Sequence, residues 1–294
     1  MEIFYKPQAL KEYLAQKRQN SKAIGFVPTM GALHRGHLSL LQACKNDHDI
    51  TVCSIYINPL QFNDKSDLQS YPRDIDKDIE LLKKNNCDVL FCPDDRIMYP
   101  ESPLVKFNFS YLDTIMEGKH RPGHFSGVAT IVSKLFNIVK PDAAYFGQKD
   151  LQQFIILRQL VKDLSFGIKL VCCPVIREND GLAISSRNIG LSNEARKIAP
   201  NIYKALVLGK NSLVQVGNQS DLKEKLQINN IIKDTKKKVK EFISQFQGIE
   251  LEYFEIVDSE TLKTVKDIKK NHNIALCIAA QIGSVRLIDN LIIL

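Results

Sequence analysis

An α/β fold is predicted, with a doubly wound parallel sheet over residues 1–175 and a smaller α+β domain with a short antiparallel sheet over 176–294. Three features of the 294-residue sequence predict it. Up to about residue 175, short apolar runs rich in β-branched residues alternate with segments of helical period, the pattern of parallel strands with helices on both faces. Three of those runs stop at a proline, an Asn-Pro pair or a glycine, so each strand hands over to a loop at one end of the sheet. Past residue 176 the alternation gives way to two helical stretches and then three strand-like runs.

Residues 23–27 form the first apolar strand, which Pro28 should stop because it has no N–H to give a ladder. A helix begins near Gly36 and turns Leu38, Leu41 and Ala43 inward. Residues 50–57 are a β-branched strand ended by Asn58-Pro59; 75–82 read as helix and 89–92 as strand. The strongest helix covers 125–139, where Val128, Ile131, Val132, Leu135, Phe136 and Val139 recur at i, i+3, i+4, i+7 spacing. A strand over 143–146, a helix over 151–164 and a strand over 168–175 complete a Rossmann-like domain, whose ligands are expected beyond the carboxyl ends of its strands. In the second domain 192–207 and 221–246 read as helices, and 251–257, 274–280 and 285–294 as strands. The lysine-rich run 233–240 reads as a solvated helix face, with a nucleic-acid contact as the alternative.

Hydrophobic residues make up 44% and charged residues 25%, the balance of a soluble globular protein. A net charge of +7 suits an enzyme of phosphate-bearing substrates as well as it suits nucleic acid or anionic lipid. The seven cysteines include no C-x-x-C, and Cys172-Cys173 sit inside an apolar run. They read as small buried hydrophobes of a reducing compartment rather than a disulfide framework or zinc site. The N-terminal residues lack the apolar core of a signal peptide, and no stretch approaches a membrane span. A cytoplasmic location is expected.

Four segments carry chemistry. In the first, Met30-Gly31-Ala32-Leu33-His34-Arg35-Gly36-His37, two histidines stand where a strand turns into a helix. Unpaired N–H groups and the helix dipole there favour an anion, and the glycines permit close approach. Imidazoles beside such a site can bind phosphate oxygens as the α-phosphorus is attacked. A structural histidine pair and a metal site are alternatives. A P-loop is a third, but His37-Leu38 stand where it needs Lys and Ser or Thr, which argues against cleavage between the β- and γ-phosphates.

The second segment holds Asn58 and Gln61, able to bind hydroxyl and carboxylate groups of a small polar substrate; an Asn-Pro turn with an exposed Gln fits equally. The third, Gly147-Gln148-Lys149-Asp150 with Gln153, offers a point charge for phosphate and a carboxylate for a ribose or a helix cap. The fourth runs from Arg177 through Asn179-Asp180-Gly181 to Ile184-Ser185-Ser186-Arg187-Asn188, a loop whose hydroxyls and Arg can grip a triphosphate and close over it. The acidic set Asp74, Asp76, Asp78 and Glu80 reads as the outer face of a helix, and no residue is given to a metal.

Taken together, in this order and spacing, these segments resemble the pantothenate synthetase family. So do Tyr71-Pro72-Arg73, residues 121–128 and Arg286-Leu287-Ile288-Asp289-Asn290. The first segment is the H-x-G-H signature of the wider nucleotidylyl-transferase superfamily. The resemblance implies that pantoate carboxylate attacks the ATP α-phosphorus and that β-alanine then displaces AMP. It implies catalytic roles for His37, His34, Lys149 and Arg187. ATP would be lined by residues 30–37, Gly147, Gln148, Lys149, Asp150, Ile176, Ile184, Ser185, Ser186 and Arg187. Pantoate would be held by Asn58, Gln61 and Gln153, and β-alanine would face Gln61. Mg2+ would accompany ATP, and the chain would be a homodimer with neither nucleic-acid nor membrane partners. Gln148 stands where Glu is commoner in the family, and Ile184 where Met is. Another H-x-G-H enzyme, one that leaves a nucleotide on its product, is the competing reading.

Overall fold

The computed structural model describes residues 1–217, 225–265 and 273–293. They divide into two compact units, one of residues 1–148 and 152–175, the other of 149–151 and 176–294.

Along the first 175 residues run β1 (Glu2–Phe4), α1 (Pro7–Gln19), β2 (Ile24–Thr29), α2 (Arg35–Asp47), β3 (Ile50–Ile55), α3 (Lys65–Ser70) and α4 (Ile75–Lys84). There follow β4 (Val89–Phe91), α5 (Asp95–Met98), α6 (Met116–His120), α7 (His124–Val139), β5 (Ala143–Gly147), α8 (Leu151–Asp163) and β6 (Lys169–Cys173). The six strands are parallel, in the order β1-β4-β3-β2-β5-β6. Alternate residues of a strand face opposite sides of the sheet. Phe26 and Val52 accordingly join a core with Leu10 and Leu14 of α1 and the apolar stripe of α7. Val27 and Cys53 join another with Leu40 and Leu41 of α2 and Leu82 of α4. The strand order reverses between β2 and β5, and the crevice beyond the carboxyl ends at such a point is where open parallel sheets bind ligands. The loop leaving β2 ends at His34 and leads into α2, whose first turn carries His37, and β5 ends at Gly147.

Several local expectations are corrected. Pro28 does not stop β2, which continues to Thr29 and pairs with β3 throughout. The carbonyl of Thr29 faces β3, accepting from Tyr56, while that of Ile24 faces the β5 side, accepting from Asp142. Alternation turns the position of Pro28's missing N–H toward β5, where pairing has already ended at Phe26. On that side the missing N–H coincides with the end of the ladder, while the pairing with β3 is untouched. Helix α2 begins at Arg35 and buries Leu40, Leu41 and Cys44, with Leu38 and Ala43 only half-buried. Cys172 is exposed on the edge strand β6, whereas Cys173 points inward.

The second unit contains α9 (Asn193–Ile198), α10 (Asn201–Gly217), α11 (Lys225–Ile243), β7 (Ile249–Asp258), β8 (Ile274–Ile282) and β9 (Val285–Ile293). Its strands form an antiparallel sheet in the order β7-β8-β9, and one core joins them to the helices. The single helix expected over 192–207 is two, because Pro200 cannot donate the hydrogen bond that would carry α9 onward. Residues 221–224 and 294, which fell inside an expected helix and strand, lie outside the described residues. On α11, Lys233, Lys237, Lys238 and Lys240 are exposed while Ile232, Thr235 and Val239 are buried.

Candidate active site

The histidine turn is built by its own side chains and by one distant carboxylate. Gly31 (φ 81°) and Ala32 (φ 49°) are both left-handed, which aims successive N–H groups to one side. Asp78 of α4, 2% exposed, accepts from Ala32 at 2.8 Å and from Leu33 at 2.7 Å. A β-carbon on Gly31 would lie 2.9 Å from the same carboxylate, so glycine is required on steric as well as conformational grounds. Asp78 is therefore no surface residue of an acidic helix face. Only one sequence signal marked it: it lies four residues before the buried Leu82, on the inward side of α4.

His34 is the N-cap of α2. Its Nδ1 accepts from Gly36 N–H at 3.1 Å, and the main-chain N–H of His34 is donated to His37 Nδ1 at 3.4 Å. The start of the helix is thus capped by the imidazoles themselves, and the expectation that its N–H groups stand unpaired for a ligand is corrected. The consequence is chemical. Each Nδ1 accepts, so in each neutral ring the proton sits on Nε2, which becomes the donor the ring can offer to an anion. The rings stack with centroids 4.0 Å apart. Arg35 is exposed, and Leu33 is buried under the turn.

Asn58, Gln61 and Met30 form one hydrogen-bonded chain. Gln61 Nε2–H is donated to Met30 Sδ at 2.9 Å, and its Oε1 accepts from Asn58 Nδ2 at 3.1 Å. Asn58 Nδ2 is also donated to the Gly127 carbonyl at 3.0 Å, and its Oδ1 accepts from Tyr99 Oη at 2.9 Å and Leu60 N at 3.4 Å. Both residues are buried, at 1% and 8% exposure, so Gln61 is not the exposed side chain of an ordinary turn. The Gln61 carbonyl accepts from His124 Nδ1 at 2.8 Å and Arg121 at 3.3 Å. These contacts are possible because α7 approaches the 59–61 turn at Gly127, where a β-carbon would lie 2.3 Å from the Leu60 carbonyl oxygen. Sequence reading left Tyr99, Arg121 and His124 without a role. Burial of Tyr99 raises its hydroxyl pKa, keeping it a donor to Asn58.

Elsewhere in this unit Gly147, Gln148 and Gln153 are half-buried. Gln152, 5% exposed, accepts from Glu117 N and donates to the carbonyls of Leu112 and Ile115, tying α8 to the segment before α6.

In the second unit Lys149 lies in a one-turn 3-10 segment, not in a helix, with Nζ 3.4 Å from its neighbour Asp150. Ile176 and Ile184 come together: the Ile184 N–H is donated to the Ile176 carbonyl at 2.9 Å across a short antiparallel turn. Ser185 caps the next 3-10 turn by accepting from Arg187 N at 3.2 Å, and Ser186 is buried.

A six-stranded parallel sheet with paired imidazoles capping the helix after β2 defines a Rossmann-like α/β protein with an H-x-G-H turn. The profile of one family, described as pantoate–β-alanine ligase, matches residues 2–292. The chain is 46% identical over 287 residues to a pantothenate synthetase of Cytophaga hutchinsonii, covering 98% of this chain and 97% of that one. It is 43% identical over 291 residues to a pantothenate synthetase of Porphyromonas gingivalis, covering 99% of each. The crystal structure of pantothenate synthetase from Thermus thermophilus superposes with a TM-score of 0.88 at 37% identity over 99% of both chains. That of pantoate–β-alanine ligase from Francisella tularensis, complexed with β-γ ATP and β-alanine, gives 0.78 at 35% identity over 99% of this chain and 97% of that one. The chain belongs to the pantoate–β-alanine ligase family.

Proposed function

We propose that the chain condenses (R)-pantoate with β-alanine at the expense of ATP, giving pantothenate, AMP and pyrophosphate, a step toward coenzyme A. A pantoate carboxylate oxygen attacks the α-phosphorus, the bond to the bridging oxygen breaks, and pyrophosphate leaves. The β-alanine amine then adds to the acyl carbon of pantoyl-adenylate, AMP departs with the carboxylate oxygen, and the amine loses a proton. The single observation that carries this reading is the stacked imidazole pair that caps α2 through its Nδ1 atoms, a source of Nε2–H donors for the charge that would build on phosphate oxygens.

In this reading His34 and His37 contact phosphate oxygens, and Lys149 and Arg187 neutralise charge that grows in the transition state. Residues 30–37, Gly147, Gln148, Asp150, Ile176, Ile184, Ser185 and Ser186 line ATP. Asn58, Gln61 and Gln153 hold pantoate, and Gln61 faces β-alanine.

Mg2+ would neutralise phosphate charge when bound with ATP. The residues present fit an ion carried on substrate phosphates and water, the usual habit of Mg2+: among the described residues no three His, Cys, Asp or Glu side chains are grouped to hold a metal. Among the described residues no helix is long and apolar enough to cross a membrane. Family analogy supports a cytoplasmic homodimer.

The test is product identity. Purified chain given ATP, pantoate and β-alanine should release AMP and pantothenate in equal amounts. A stable dinucleotide product instead would favour the nucleotidyl-transfer reading.

A further inference from the structure

Lys149 and the 185–187 segment are far apart in sequence, yet one buried cluster binds the main chain of Lys149 and that of Gly181, in the turn that leads into 185–187. Asn290, 2% exposed, donates Nδ2–H to the Lys149 carbonyl at 2.9 Å. Its own N–H is donated to Asp289 Oδ1 at 2.7 Å. Arg177 grips both oxygens of the Asp289 carboxylate, at 2.5 and 3.0 Å, and donates to the carbonyls of Asn290 and Gly181, each at 3.1 Å. The guanidinium lies over the Tyr203 ring, 4.0 Å from its centroid. Only a planar fork with several donors makes this set of contacts, so lysine is no substitute. Burial raises the Asp289 pKa above the ordinary range and the Arg177 pair opposes it.

The same arginine fixes the loop. Residue 177 bridges Ala183 in antiparallel fashion, Glu178 N–H is donated to the Leu182 carbonyl at 2.8 Å, and Ile184 is tied to Ile176. Ser185, Ser186 and Arg187 follow directly. The segment around Asp289 and Asn290 is one that the sequence singles out and that the proposed chemistry leaves without a task.

We infer that Arg177, Asp289 and Asn290 form a positioning assembly for the phosphate-binding cations. Asn290 acts through the Lys149 main chain, and the Arg177–Asp289 pair sets the 176–187 loop in the same frame. The inference rests on the reading of Lys149 as a phosphate contact.

Removing Arg177 or Asp289 strands the other charge in the interior and endangers folding, so the test is made at Asn290 in the full-length chain. Asn290→Ala deletes the donor, and Asn290→Asp keeps the shape but offers an acceptor to the Lys149 carbonyl. The readout is pantoate-dependent exchange of labelled pyrophosphate into ATP. Both variants are expected to lose about 10-fold in the exchange rate, the scale of a modest misplacement of a reacting group, with KM for pantoate close to wild type and unfolding still cooperative at a melting temperature lowered by the stranded Lys149 carbonyl. In a Lys149→Ala background, Asn290→Ala is expected to cost less than about twofold, because groups acting through one another are not additive. Wild-type exchange in the Asn290 variants, or the full loss recurring in the Lys149→Ala background, would overturn the inference and leave Lys149 in place. Wild-type exchange in Lys149→Ala alone would overturn the reading of Lys149 and the inference with it.

Discussion

At Asp78, burial and hydrogen bonding pull in opposite directions. Desolvation raises the carboxyl above its ordinary range, while the Leu33 and Ala32 N–H groups favour the ionised form. Because the folded value exceeds the unfolded one, the contribution of this group to stability is full below about pH 4 and is lost as pH rises through the folded value. Asp78→Asn removes that titration, so wild-type stability relative to the variant should fall as pH rises from about 4, as urea unfolding at a series of pH values would show. The amide also turns an N–H2 toward one of the two main-chain donors, stranding a buried N–H at a cost of about 1–3 kcal/mol. Adenylation in Asp78→Asn is expected to drop about 10-fold as the histidine turn loosens; an unchanged rate would remove Asp78 from the site. His37→Ala and Lys149→Ala should each cost about 100-fold or more with the fold retained, the scale of a lost transition-state donor. The histidines, Asn58 and Gln61 stand out in the sequence because polar residues cluster just past strand ends. Asp78 does not, because its acidic neighbours Asp74 and Asp76 are exposed and make the whole set look like solvated surface. Its partners are main-chain atoms 45 and 46 residues away, which no local spacing encodes.

At the scale of elements, α7 shows what periodicity can and cannot convey. Its six stripe residues are all buried, as their spacing requires. That it also forms the floor under Asn58 and Gln61 depends on Gly127, which in sequence looks like a weak point in a helix. Gly127→Ala should overpack three main-chain atoms of the 59–61 turn, costing about 1–3 kcal/mol of stability. Moving the turn should also raise KM for pantoate by about 10-fold, measured alongside thermal unfolding; a variant with unchanged pantoate affinity would show that this contact does not shape the site. Pro28 and Pro200 give the complementary lesson. Both are poor ladder or helix residues by propensity, yet one coincides only with the end of the pairing to β5 while β2 runs on beside β3, and the other divides α9 from α10. Pairing partners decide the outcome, and they are set by topology. The three-residue edge strand β1 is likewise invisible locally, since it exists only by pairing with β4.

For the whole molecule, the fold class was legible because alternating strands and helices allow few other arrangements, and the change near residue 176 matches a second, antiparallel sheet. The candidate chemical groups stand in the sequence as separate clusters. What sequence order did not convey is that Lys149 packs with residues 176–294 rather than with the strand it follows. Binding to the native state alone stabilises by about 2.7 kcal/mol at a hundredfold excess over Kd, so saturating ATP should raise the melting temperature by about 5–10 °C. The same concentration of CTP should not, and equal shifts would sink the assignment of ATP.

The central claim is that the capped imidazole pair supports attack of a carboxylate on the α-phosphorus before any amine takes part. Its most direct measurement is exchange of labelled pyrophosphate into ATP with pantoate present and β-alanine withheld. Exchange that depends on pantoate and disappears in His37→Ala is the predicted result. Exchange that requires β-alanine, or that proceeds without pantoate, would contradict it.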